Sequence, residues 1–189
     1  MAINTTNYHN QNAILAKIQT ALTGMLTDLG ITGWQVLRSN QSTIQALQNK
    51  SVYYDIISKR RIGTQGTKSV KTTEGWTDQT IWYDEYLIQV GAFLQRNPDE
   101  DTVSTISSSD IISMLQGCVN SNGVLASKNY FSANWIQLIK SSTIRELDYE
   151  TDSGLREKMP QFDFLLVVEQ TLNKNINEVE DIDLDVYRV

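Results

Sequence analysis

The residues able to perform acid–base or nucleophilic chemistry are few in this sequence. It contains one histidine, His9, and one cysteine, Cys118. A Ser-His-Asp or Cys-His site needs its base held within hydrogen-bond reach of the nucleophile, and His9 lies in an N-terminal stretch that we expect to fray. A single cysteine also excludes an internal disulfide and a multi-cysteine zinc site. The pattern therefore favours a protein that is not an enzyme, with Cys118 as a small apolar residue on a helix.

Residues 60–75 are predicted to form a turn-rich loop that carries positive charge. Within this loop, Gly63–Lys68 resembles a phosphate-binding loop, but the spacing of its glycines and lysine differs from the P-loop pattern. Five cations stand in or beside the loop without an intervening acid: Lys59, Arg60, Arg61, Lys68 and Lys71. They are either a solvated charged surface or an electrostatic contact with phosphate or with an acidic partner. The formal net charge of −6 favours a protein partner over DNA.

A row of alternating carboxylates precedes the last predicted strand. It comprises Glu146, Asp148, Glu150 and Asp152. An extended backbone would place all four on one face. The row is a solvated surface, a patch that repels or complements a partner, or a hydrolytic pair, which would also need a defined separation and a substrate cleft.

The C-terminal segment, residues 178–189, is acidic. Three aspartates alternate there with three apolar residues: Asp181, Ile182, Asp183, Leu184, Asp185 and Val186. The aspartate spacing matches the first half of a calcium-binding loop, but valine stands where that loop requires glycine. The alternation itself is typical of a strand with one apolar face. Disorder remains one alternative, and an arm that docks on its own sheet or on a neighbour's edge is the other.

Length and charge set the class of protein. The chain has 189 residues, a size typical of one domain. Tight nucleic-acid binding needs clustered cations, so an acidic chain favours other partners. The sequence shows no apolar run long enough to span a membrane and no secretory signal at its N-terminus. We therefore expect the protein to fold in a reducing cytoplasm.

Hydrophobic periodicity predicts two helices and five strands. The first helix covers residues 10–29, with a cap at Asn7 or Asn10, and the second follows the polar cluster at 107–110. The predicted strands are Trp34–Arg38, Val52–Lys59, Ile81–Leu94, Trp135–Leu147 and Phe162–Leu172. Strands that follow one another without helices favour antiparallel pairing.

The resulting prediction is an α+β fold. One domain spans residues 1–177, with a mostly antiparallel or mixed sheet of about four to five strands and helices packed on one side. The acidic arm, residues 178–189, follows it.

Four segments together carry a family resemblance. A strand, Tyr53–Gly63 (YYDIISKRRIG), runs into the loop and is followed by a strand, Trp82–Arg96 (WYDEYLIQVGAFLQR). A helix, Asp110–Gln116 (DIISMLQ), and a late apolar strand, Pro160–Val168 (PQFDFLLVV), complete the set. In this order the elements resemble those of the tail-terminator (neck) proteins of tailed bacteriophages, and the resemblance extends from residue 10 to residue 172.

The resemblance implies a structural protein of the virion, assembled in the host cytoplasm. Its subunits would form a hexameric ring that caps the tail tube, stops tube growth and meets the head-side connector, and in contractile tails the sheath. DNA would pass through the ring without specific binding, and the family has no enzymatic activity and no cofactor. A head-closure or connector protein, a tail-tube protein, and a small-ligand binding module or enzyme are the alternatives.

Two surface assignments follow from the resemblance. The carboxylates of the 146–152 row are candidates to face the DNA channel, because a cationic wall would hold the duplex. The cations of residues 59–71 are candidates for contact with an axial partner.

Overall fold

The computed structural model describes residues 3–4, 9–39, 50–72, 75–94, 106–120, 136–150 and 156–176. The elements in these ranges are β1 Ile3–Asn4, α1 Gln11–Asp28, β2 Gln35–Arg38, β3 Ser51–Thr72, β4 Gly75–Phe93, α2 Ser108–Asn120, β5 Ile136–Ser141, β6 Arg145–Glu150 and β7 Arg156–Ile176. They form one α+β domain, which confirms the predicted fold class. The acidic arm at 178–189 and Asp152 lie outside the described residues.

All described strands belong to one open, mixed sheet with the path β1-β7-β4-β3-β2. β7 lies along its middle: one edge pairs with β4 from Gln161 to Ile176, and the other edge pairs in turn with β6, β5 and β1. β2 and β3 are parallel, and every other pair is antiparallel. The sheet therefore has seven strands in the described part of the chain, more than the predicted four to five.

Both helices pack on one face of the sheet, as predicted. Asn10 caps α1, because its side-chain oxygen accepts a hydrogen bond from the amide of Ala13 at 2.8 Å. Alternate residues of the three long strands supply the other half of the core, with Ile88, Phe164 and Leu166 fully or almost fully buried. The hydroxyl of Tyr54 donates to the carbonyl of Leu15, which fastens β3 to α1. Cys118 is buried in this core, where it acts as the small apolar residue expected of it.

The predicted loop at 60–75 was wrong. Most of the segment belongs to β3 and β4, which form a long hairpin whose ladder ends with Thr72 opposite Gly75. The ladder slips between Ile62 and Gly66, where Gly63 takes a left-handed conformation with φ +71° that glycine adopts without a Cβ clash. The glycines and polar residues that suggested a loop thus accommodate a bulge within a strand.

The predicted strand Trp135–Leu147 is two strands, β5 and β6, separated by residues 142–144. Ser142 explains the break. Its amide donates to the carbonyl of Asp163, and its hydroxyl accepts a hydrogen bond from the Asp163 amide. A hydrogen bond to the Ser142 side chain thus replaces a backbone bond of the ladder at this point. β5 and β6 pair with separate stretches of β7 on either side of it.

Candidate interaction surface

The five cations of the predicted basic loop lie on β3, which forms one arm of the β3–β4 hairpin. Every β3 residue from Ile57 through Lys71 is exposed or half-buried. The hairpin is therefore the part of the sheet most accessible to a partner. Lys59, Arg60 and Arg61 lie in its middle, and Lys68 and Lys71 lie toward its tip.

A buried carboxylate, Asp84 of β4, lies beside two of these cations. Its side chain is 3% exposed, its Oδ2 is 3.0 Å from the Lys59 ammonium, and its Oδ1 is 4.0 Å from Arg61 Nε. Both cations keep about half of their side chains in solvent, at 44% and 55% exposure. Two cations therefore share one carboxylate, and the surface keeps positive charge.

Aromatic rings support the same two cations. The Lys59 ammonium lies 5.3 Å from the centre of the Tyr86 ring, and the Arg61 guanidinium lies 4.9 Å from that of Trp82, within the range of cation–π attraction. Burial lowers the pKa of Lys59, but the hydrogen bonds and charges of Asp84 and Tyr86 outweigh this effect and raise it. Lys59 therefore stays charged across the physiological range.

Arg60 projects from the opposite face of the sheet. Its Nε donates to Glu85 Oε1 at 2.5 Å, between residues that are directly opposite in the ladder. Arg145 and Asp163 form a second ion pair on this face at 2.6 Å. The face without helices therefore carries paired charges, whereas the face with Lys59 and Arg61 carries an excess of cations.

The tip of the hairpin combines charge with an exposed ring. Lys71 stands opposite Trp76 in the ladder, and Trp76 is 43% exposed. Lys68 is exposed and stands opposite Gln79. The exposed tryptophan makes the tip a candidate protein contact, because tryptophan is enriched among the residues that contribute most to interface energies.

Three of the predicted acidic residues, Glu146, Asp148 and Glu150, lie on β6 at alternate positions. The extended backbone expected for this row is therefore confirmed as far as residue 150. The register places Asp148 opposite Lys158 and Glu150 opposite Arg156. Glu146 is exposed and accepts a hydrogen bond from the Ser109 hydroxyl at the start of α2.

His9 has a structural position at the start of the helical layer. Its amide donates to Gln170 Oε1 at 2.8 Å, and Gln170 Nε2 donates to its carbonyl at 2.9 Å. Gln170 is fully buried, and its side-chain amide satisfies both the backbone N–H and the backbone carbonyl of His9. Burial lowers the pKa of the His9 imidazole. His9 thus joins the N-terminal segment to β7.

Sequence reasoning missed Asp84 as the centre of the basic surface. The signal was available, since Asp84 occupies one of the even β4 positions whose other members are mostly apolar. A carboxylate at such a position must find a cation, because a buried charge without a partner is costly. Which cations lie beside Asp84 depends on the register of the β3–β4 hairpin.

The described residues contain no group of three or more histidine, cysteine, aspartate or glutamate side chains arranged to hold a metal ion. Within the same ranges, no helix has both the length and the apolar character needed to cross a membrane.

Comparison with known proteins assigns the chain to a family. The family model for E217 gateway protein gp29 matches residues 13–178, which runs from within α1 to beyond the end of β7 and includes every strand of the sheet except β1. A search of curated proteins found no match. The match confirms the expected class, a phage head–tail connection protein, without distinguishing a tail terminator within it. Since it spans most of the sequence, the chain belongs to the E217 gateway protein gp29 family, a family of phage head–tail gateway proteins.

Proposed function

We propose that the protein is a ring-forming subunit of the phage neck. The ring caps the tail tube, stops its elongation and joins the tail to the head-side connector. The family match over residues 13–178 is the observation that carries this proposal, because it includes the whole core and the hairpin. The protein works through shape and surface charge, without catalysis and without a cofactor.

The open sheet supports ring formation. A closed ring requires a patch on one side of each subunit that fits a different patch on the neighbour. The described sheet ends in a long strand edge on β3 beyond its pairing with β2, and such an edge readily pairs with another chain. In this proposal the ring is a hexamer.

The acidity of the chain supports passage of DNA. A duplex that must slide through a ring should meet few cations, since each phosphate contact adds affinity through counterion release. Glu146 is exposed at the outer end of the sheet, on the strand that pairs with the start of β7. We assign the acidic row that begins there to the channel.

The hairpin tip supports axial docking. Lys68, Lys71 and Trp76 are exposed at the far end of the hairpin, where no described helix packs. We assign this tip to contact with the tail tube or with the connector. Arg60 and Arg61 instead lie beside carboxylates of β4 in the middle of the hairpin, so the tip lysines are the cations that we assign to the axial partner.

The test of the function is the phenotype of a phage that lacks the gene. Tails of uncontrolled length would support a terminator. Tails of normal length that fail to join filled heads would identify a head-closure or connector protein. Absent tubes would identify a tube protein, and normal infectious particles would overturn the proposal. Native mass spectrometry of the purified chain provides the stoichiometry, with a hexamer expected.

A double variant tests the role of the tip. Lys68→Glu with Lys71→Glu should abolish joining of tails to heads while native mass spectrometry still shows the ring. Lys50→Glu is the matched control, because Lys50 is an exposed lysine at the opposite end of β3. Normal infectivity of the double variant would show that the tip does not make the axial contact.

A further inference from the structure

Among the described residues, most of the outer edge of β3 has no partner strand. β2 pairs with β3 only as far as Tyr54. From Ile57 to Thr72, the outer edge pairs with no strand in the described part of the chain, while the inner edge pairs with β4 except at the two bulges. Such an edge presents unpaired backbone amides and carbonyls to a further strand.

The charges beside this edge determine which kind of strand can add to it. Lys59 and Arg61 lie on the same face of β3, and they share the single carboxylate of Asp84. Both side chains are about half exposed, so each can meet a second carboxylate from an adjacent strand. Opposite charges at cross-strand positions stabilise a sheet. The edge therefore suits a strand with acidic residues at alternate positions.

The chain itself contains a segment of that description. Residues 181–186 read Asp-Ile-Asp-Leu-Asp-Val, with carboxylates on one face and apolar side chains on the other when extended. With the carboxylates beside Lys59 and Arg61, the apolar side chains would lie on the face of Ile62, which is half-buried. We infer that residues 181–186 of one subunit add as a strand to the β3 edge of a second copy, at Lys59–Ile62.

Distance excludes the same contact within one subunit. β7 ends at Ile176, opposite Trp76, and Tyr86, the ladder partner of Lys59, lies ten residues further along β4, about 34 Å away at strand rise. The added strand would also lie three strand spacings from β7, about 14 Å. The straight-line separation is thus about 37 Å, whereas the nine residues from Ile176 to Asp185 span at most about 32 Å. Only the arm of another subunit reaches the edge at Lys59.

The inference depends on the proposed ring only because it requires a second copy of the chain. The experiment is carbodiimide cross-linking, which joins a carboxylate to a lysine at ion-pair distance. A mixture of unlabelled and 15N-labelled protein, assembled together, distinguishes links between subunits from links within one. We expect mixed-isotope links between the peptide that contains Asp181–Asp185 and the peptide that contains Lys59.

A matched pair of variants controls the experiment. Asp181→Asn, Asp183→Asn and Asp185→Asn together should reduce the yield of mixed links at Lys59 at least tenfold, while Glu178→Gln with Glu180→Gln should leave it unchanged. Single-isotope links at Lys59 without any mixed links would overturn the inference, as would a triple variant with a normal yield of mixed links. A hexamer without arm links would overturn it and leave the ring intact, whereas a solitary chain without links would count against both.

Discussion

The ring of Tyr53 lies directly over Gly91, its partner in the β3–β4 ladder. A Cβ at residue 91 would fall inside the van der Waals boundary of the Tyr53 ring. Burial in this position raises the pKa of Tyr53 to about 12. The absence of a side chain at residue 91 therefore permits a tyrosine to pack flat on the sheet.

We expect Gly91→Ala to destabilise the protein by about 1–3 kcal/mol, the usual cost of overpacking. Thermal or urea unfolding measures the change in the free energy of unfolding. Gly117→Ala is the matched control, since Gly117 lies inside α2 with no atom near its Cβ position. That change should stabilise the protein by about 0.5–1 kcal/mol. Equal changes in the free energy of unfolding at the two positions would show that the contact with Tyr53 does not determine the effect of Gly91→Ala.

The start of α2 provides a second prediction. Ser107 and Asp110 cap the helix reciprocally: the Ser107 amide donates to Asp110 Oδ2 at 3.0 Å, and the Asp110 amide donates to Ser107 Oγ at 3.2 Å. Ser107→Ala should cost about 0.5–2 kcal/mol in the free energy of unfolding. Ser113→Ala, at an exposed position of the same helix, should change it by less than about 0.5 kcal/mol.

The cap also has a definite pH dependence. The Ser107 hydroxyl, and then its amide, lower the pKa of Asp110 below its ordinary 3.8. A depressed carboxyl pKa stabilises the folded state above the unfolded-state value, and the contribution disappears as the pH falls through the folded-state value. The difference in stability between the wild type and Ser107→Ala should therefore shrink below pH 4. A difference that stays constant to pH 2 would contradict this cap.

The helices and the core face could be predicted from sequence because both follow local periodicity. The run Ile14–Leu29 repeats at helical spacing, and α1 begins one residue after Asn10, one of its two predicted caps. Even positions of β4 were expected on the core face, and Ile88, Val90 and Ala92 are fully buried there. Such patterns depend on near neighbours in the chain, so the sequence displays them directly.

The hairpin could not be predicted in detail because its register depends on two bulges. An unbroken ladder continued from Lys71 opposite Trp76 would place Arg61 opposite Tyr86. The slip between Ile62 and Gly66 instead places Arg61 opposite Asp84, and this shift creates the buried charge cluster. Bulges respond to twist and to partner strands, so local composition does not locate them. The assignment of the cations to a loop failed for the same reason.

The charge cluster gives a third prediction, based on adjacent carboxylates of β4. Asp84→Asn removes the shared counter-charge of Lys59 and Arg61 in a buried position and should cost about 1–3 kcal/mol of unfolding free energy. Glu85→Gln removes a single partner, that of Arg60, whose side chain is 70% exposed. It should cost less than about 1 kcal/mol. Urea unfolding of the two variants compares them directly, and an equal or larger loss for Glu85→Gln would contradict the central role of Asp84.

The acidic row gives the fourth prediction, which concerns the DNA channel. Asp148 and Glu150 lie opposite Lys158 and Arg156 in the β6–β7 ladder. Neutralising Glu146, Asp148 and Glu150 to amides would therefore remove three negative charges from a strand whose ladder partners include the cations Lys158 and Arg156. If this surface lines the channel, those cations would bind phosphate and slow DNA ejection, by about twofold or more at low salt.

Two further measurements test whether this surface lines the channel: the salt dependence of DNA ejection, and a variant that removes positive charge. Counterion release predicts that the slowing fades as the salt concentration rises. The opposite change on the partner strand β7, Arg156→Gln with Lys158→Gln, removes positive charge and should leave ejection as fast as in the wild type or faster. Single-particle or light-scattering measurement of ejection from purified phage follows all three forms. If the triple amide variant ejects DNA at the wild-type rate at low salt, β6 faces away from the channel, and the channel wall must be sought on another surface of the ring.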